Sequence, residues 1–121
     1  MILADTSIWI DLFRGTNQLQ HLLFRNEICI HPFIIGELAC GSLPDRKNTL
    51  HLLHELPFVP VAKHHEVLFF IETHKLAARG IGYVDMHLLA STALDGCKLL
   101  SRDKRLHSIA QELNLAYYQD H

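Results

Sequence analysis

Four acids in this chain of 121 residues stand where acids are unexpected. Asp5 directly follows the apolar run Ile2-Leu3-Ala4, and Asp103 follows Leu99-Leu100 by three residues. Asp85 lies between Val84 and Leu88-Leu89-Ala90, and Glu37 stands at the edge of a stripe containing Ile34, Ile35 and Leu38. Carboxylates resist burial unless they are paired, hydrogen-bonded or bound to metal. If the four meet, cations must relieve their repulsion, and hard oxygen donors with few nitrogen or sulfur partners select Mg²⁺ or Mn²⁺. One or two such ions can activate a water and steady both the attacking and the leaving oxygen, which suits phosphodiester hydrolysis. Each acid also has a simpler reading: Asp5, Asp85 and Asp103 as helix caps, Glu37 as a solvated helix residue. Spacing alone does not bring the four together in space.

The elements that would position these acids follow from periodicity and punctuation. Residues 2–4 read as a short buried strand. Asp5-Thr6-Ser7 supplies three N-cap types before a helical run over 8–13, which Gly15 stops. A second helix is expected over 17–26, with Leu19, Leu22 and Leu23 on one face, then a strand over 28–30. Pro32 opens a helix at its favoured first position, and Gly41 closes it. Residues 45–56 read as helical, 58–61 as an edge strand, because Pro57 and Pro60 exclude a central one. Val67, Phe70, Ile71 and His74 fall at i, i+3, i+4 and i+7, predicting an amphipathic helix over 63–78. Asp85 is expected to cap a helix running through Leu94 to Gly96. A strand over 98–100, a helix over 104–113 and a last strand over 115–118 complete the chain. Strands alternate with helices and no tight hairpin signal occurs. The expectation is a three-layer α/β/α domain with a central, mainly parallel sheet, one domain spanning 1–121. In such sheets the ligand crevice lies beyond the carboxyl ends of the strands, which is where Asp5 and Asp103 fall.

Composition narrows the field. Half the residues (49%) are apolar, enough for a packed core. Net charge is −2, so the balance of charge does not announce a nucleic-acid partner. The three cysteines, Cys29, Cys40 and Cys97, lack paired spacing, which argues against a disulfide framework and for a reducing, cytoplasmic compartment. The start of the chain lacks the basic and long apolar regions of a signal peptide, and the most continuous apolar run, at 67–71, is too short to span a bilayer. No membrane association is expected.

The segments Asp5-Thr6-Ser7-Ile8-Trp9, Glu37, Gly80-Ile81-Gly82-Tyr83-Val84-Asp85-Met86-His87-Leu88-Leu89-Ala90-Ser91 and Leu100-Ser101-Arg102-Asp103-Lys104-Arg105-Leu106 together resemble the PIN-domain ribonucleases. Among these the chain is similar to the VapC toxins of bacterial type II toxin–antitoxin pairs, over almost its whole length. The resemblance implies Mg²⁺- or Mn²⁺-dependent cleavage of structured RNA, often tRNA or rRNA. By motif match, Asp5 and Asp85 are the main metal ligands, and Glu37 and Asp103 complete the acidic site. Thr6, Ser7 or Ser101 would hydrogen-bond a carboxylate or a substrate phosphate; Ser101 stands where the family often has threonine. The resemblance also implies a homodimer and a small VapB-like antitoxin. An antitoxin arginine could enter the acidic site, with an amphipathic helix laid against Trp9, Phe13 and the helix over 17–26.

Other features carry less. The ten histidines show no zinc-site spacing. Arg14, Arg79, Arg102, Lys104 and Arg105 form a candidate rim for phosphates, strongest for Arg102, Lys104 and Arg105 around Asp103. The competing function is a catalytically silent PIN-fold interaction module, against which the presence of all four acids argues. A phosphatase on a similar fold would need Asp-x-Asp after the first strand, and here Asp5 is followed by Thr6-Ser7.

Overall fold

The computed structural model describes residues 1–15 and 18–118. Its centre is a parallel sheet of three short strands, β1 (Ile2–Ala4), β2 (Ile28–Cys29) and β3 (Lys98–Leu100), in the order β2-β1-β3. Ile2 pairs with Ile28 on one side and Lys98 on the other, while Leu3 pairs with Cys29 and Leu99. Successive strand residues point to opposite faces, yet Ile2, Leu3 and Ala4 are all buried, so both faces of the sheet are covered. The chain passes from β1 to β2 on one side and later crosses to β3 on the other. The strand order therefore reverses at β1, and the crevice expected of such a sheet lies beyond its carboxyl end.

The helices are α1 (Thr6–Phe13), α2 (Gln18–Phe24), α3 (Pro32–Ala39), α4 (Arg46–His54), α5 (His64–Thr73), α6 (Tyr83–Asp95) and α7 (Lys104–Glu112). Pro32 takes the first position of α3 as anticipated. The helix expected over 17–26 is α2; residue 17 lies outside the described residues. The α/β/α architecture and the parallel sheet follow the pattern of the sequence.

Several features differ from the sequence reading. The helix anticipated over 63–78 ends at Thr73. Lys75 adopts a left-handed conformation (φ 55), its N–H bonds to Glu72 O, and Leu76 N–H bonds back to Ile71 O at 3.0 Å. This is a Schellman closure, and it turns Leu76 into the core, where it is fully buried. Burying one leucine stabilises by about 2 kcal/mol, more than a further exposed helical turn would return. The strands anticipated over 58–61 and 115–118 contract to single parallel bridges, Ile30 with Phe58 and Leu99 with Ala116, which extend the sheet at both edges. Asp85 does not cap α6: Gly82 is the N-cap and Asp85 lies in the first turn.

Candidate active site

Each acid reaches the crevice by a different element. Asp5 stands at the carboxyl end of β1, its N–H bonded to Leu100 O of β3 at 2.9 Å. It is also the N-cap of α1, accepting from Ile8 N–H at 3.3 Å through Oδ1. Asp103 follows β3 and caps α7, accepting from Leu106 N–H at 2.9 Å. For Asp5 and Asp103, capping and membership of the acidic group are therefore one arrangement rather than alternatives. Asp85 is held in the first turn of α6 and takes a hydrogen bond from the Gly82 backbone. Glu37 comes from the last turn of α3 and accepts from Thr6 Oγ1 at 2.7 Å.

Hydroxyls stitch these elements together. Ser101 Oγ donates to Asp5 Oδ2 and accepts from Asp103 N–H at 3.0 Å, so one side chain ties β1 to the start of α7. Ser7 Oγ donates to Asp5 Oδ1 at 2.5 Å and accepts from Arg102 N–H at 3.1 Å. Thr6, Ser7 and Ser101 thus all donate to carboxylates of the site. Arg102, expected on the phosphate rim, pairs instead with Asp11, Nε to Oδ2 at 3.0 Å. Lys104 and Arg105 are exposed and take no acidic partner among the described residues.

Asp85 feels the charge of each of the other three acids. Asp5 is buried, and burial raises its pKa against the hydrogen bonds from Ser101, Ser7 and the backbone, which lower it. The Asp85 carboxyl is pushed up to about 6, first by burial, then by the charges of Asp5, Asp103 and Glu37 in that order. None of the four is paired with a cationic side chain among the described residues. As they stand, no three His, Cys, Asp or Glu side chains of the described residues are disposed to hold a metal ion together. The arrangement is an open cluster of unneutralised oxygens at the switch point of the sheet. Its donor set is all oxygen, which fits Mg²⁺ or Mn²⁺ rather than a thiolate- or imidazole-seeking ion.

Sequence reasoning missed a second network behind the acids. Tyr83 OH bridges His64 Nδ1 of α5 at 2.6 Å and His87 Nε2 of α6 at 3.0 Å. The fully buried His31 caps α3, its Nδ1 accepting from Phe33 N–H at 3.0 Å. The rings run on from His31 to Phe33 (5.0 Å) and from Phe33 to His87 (4.7 Å). This cluster braces the helix that carries Glu37 against the helix that carries Asp85. Histidine is a rare N-cap, so only its place before Pro32 could have signalled the role.

A groove of about 380 Å³ leads away from the acids between α1 and α3, lined by Thr6, Ile10, Phe13, Arg14, Glu37 and Leu38 among others. Trp9 takes no part in it, being buried in the core. Leu19 and Leu22 of α2 are likewise buried.

Comparison with known proteins agrees with this geometry. Residues 2–112 match the PIN domain family. Two curated relatives, each called "Ribonuclease VapC32" and drawn from two strains of Mycobacterium tuberculosis, are 43% identical over 122 residues, covering 99% of this chain and 98% of theirs. With its parallel sheet, its acids at the strand ends and a match over nearly its full length, the chain belongs to the PIN-domain family, among the VapC ribonucleases.

Proposed function

We propose that this protein is the toxin of a type II toxin–antitoxin pair, an endoribonuclease that hydrolyses phosphodiester bonds at the cluster of Asp5, Glu37, Asp85 and Asp103 with Mg²⁺ or Mn²⁺. What supports this site is that acids from three other elements, Asp5, Asp103 and Glu37, stand near enough to Asp85 to add their charges to burial in pushing its carboxyl up to about 6. Asp5 and Asp85 would be the main ligands; Glu37 and Asp103 would complete the site. When bound, the cation lowers the pKa of a coordinated water and steadies charge on the attacking and leaving oxygens. The chain's own groups orient the site. Ser101 and Ser7 fix both oxygens of Asp5, Thr6 holds Glu37, and the Gly82 backbone holds Asp85. Lys104 and Arg105, which have no acidic partner among the described residues, add positive potential beside an acidic centre that would otherwise repel a polyanion, while Arg102 is taken up by Asp11. Structured RNA, tRNA or rRNA, is the substrate class the resemblance suggests.

The partner we propose is a VapB-like antitoxin laid in the groove between α1 and α3. That groove is apolar at Ile10, Phe13 and Leu38 and reaches Glu37, so an apolar helix followed by an arginine would fit it and pair with the acids. The homodimer is proposed on a separate groove of about 500 Å³ between α5 and α6, where Phe69 and Leu94 are exposed at 73% and 55%. The single domain and the cytoplasmic compartment are part of the same reading; no helix of the described residues is long and apolar enough to cross a membrane. The test is incubation with total RNA after metal removal and after restoration of Mn²⁺. Cleavage confined to the restored sample is expected, and full cleavage in excess chelator would refute metal dependence. Light scattering of the purified chain tests the dimer.

A further inference from the structure

Gly80 has φ +86, and a Cβ there would stand 2.8 Å from Arg105 Nη1, 2.9 Å from Cδ and 3.2 Å from Cζ. The Arg105 side chain therefore lies along the loop that leads into α6, in space that only glycine leaves open. Next to it, Arg79 is fixed to α7 by a two-pronged pair with Glu112, Nη1 to Oε2 at 3.0 Å and Nη2 to Oε1 at 2.7 Å. Arg79, Lys104, Arg105, Ser108 and Ile109 line one cleft of about 210 Å³. Three cations line this cleft, and of these only Arg79 has an acidic partner among the described residues, Glu112, in a chain whose net charge is −2. The excess of positive charge is local. Its location is specific too: Lys104 follows Asp103 directly, and the Gly80 loop leads into the turn that carries Asp85.

From this we infer that the cleft between the Gly80 loop and α7 is a phosphate subsite, taking the backbone of the RNA strand next to the bond that is cut. The inference rests on the nuclease reading and adds where the strand lies. Guanidinium forks match phosphate oxygens, and Ser108 offers a hydroxyl donor. Cations that meet phosphates carry no base information, so the cleft strengthens binding to every RNA alike. Arg79, already neutralised by Glu112, holds the wall; Arg105 and Lys104 supply the free charge.

The experiment uses a fluorescein-labelled RNA stem-loop and the full chain carrying Asp85→Asn, so that no turnover intervenes. Anisotropy across a series of KCl concentrations gives affinity and its salt slope. Adding Arg105→Gln is expected to weaken binding about tenfold and to flatten the slope by about one phosphate contact. Arg105→Lys should restore most of the slope but less of the affinity, because a point charge replaces a fork. Lys104→Gln gives an independent check with the same direction. In the otherwise unmodified chain, Arg105→Gln should raise KM and leave Mn²⁺ affinity unchanged. Unaltered affinity and slope in both Arg105→Gln and Lys104→Gln would overturn the subsite. If the unmodified chain cuts RNA in Mn²⁺ while those variants match it in KM, the subsite fails and the nuclease reading stands. If it cuts no RNA at all, the nuclease reading fails instead.

Discussion

Ser101 donates its hydroxyl hydrogen to Asp5 Oδ2 although 96 residues separate the two. Ser101 Oγ in turn accepts the Asp103 N–H, so a single serine sets the distance between the acid after β1 and the acid after β3. Ser101→Ala should remove both bonds. The loss would cost about 1–2 kcal/mol of stability, since Asp5 is buried and would keep an unmet acceptor. It should also raise the Asp5 pKa further, because the hydrogen bond from Ser101 is the largest influence holding it down. Ser101→Thr keeps the hydroxyl and should restore both stability and cleavage, measured by thermal melts and RNA gels.

Cleavage should be lost on acidification. With its carboxyl pushed up to about 6, Asp85 binds a proton in a range where ordinary aspartates do not. Proton and metal compete for ligand oxygens. The rate should therefore fall as pH drops through about 6, and raising Mn²⁺ should move the fall to lower pH. A pH–rate profile at two Mn²⁺ concentrations checks this, and superimposable profiles would count against competition at the ligands.

His31 makes stability depend on pH in the opposite sense to Asp85. Burial, with a smaller push from His87, lowers its pKa from 6.5 to about 4. Above 6.5 the ring is neutral in both folded and unfolded chains. Between 6.5 and 4 only the unfolded chain takes up the proton, so this contribution falls with falling pH, by about 3 kcal/mol in all. Asp85 has a folded pKa above its unfolded value, so its contribution is greatest below the unfolded value and is lost as pH rises through about 6. The two overlap, and only a comparison of variants separates them. His31→Asn keeps an N-cap acceptor for α3 and should flatten the decline between pH 6.5 and 4 relative to the parent in urea titrations.

Much of this was legible in the sequence because local signals and fold agree there. The strand at 2–4, the caps at Asp5 and Asp103 and the proline opening α3 all follow from rules that act within a few residues. The helix ending at Thr73 was not legible, because its stop depends on Leu76 finding the core, and Lys75 is no usual left-handed residue. The place of Asp85 within α6 was off because Gly82 caps without a side chain to announce it. Family resemblance grouped the four acids; their mutual influence appears only in the fold. The bond between Thr6 and Glu37 spans 31 residues, and nothing local in either segment foretells it. Nor does any short-range pattern pair Gly80 with Arg105.

Metal-free Asp85→Asn protein should be more stable than the parent at neutral pH. Removing one of four mutually repelling, partly buried charges relieves up to about 2 kcal/mol, a figure that partial solvation reduces. Chemical denaturation in chelator measures the difference, with the parent expected to unfold at lower denaturant.

Whether Asp5, Glu37, Asp85 and Asp103 act as one metal site is decided by calorimetric titration of Mn²⁺ into the metal-free chain and into folded Asp85→Asn. The parent should bind Mn²⁺, and Asp85→Asn should abolish that binding or weaken it by about a hundredfold, with RNA cleavage lost in step. Unchanged Mn²⁺ affinity in a folded Asp85→Asn protein would contradict a shared site.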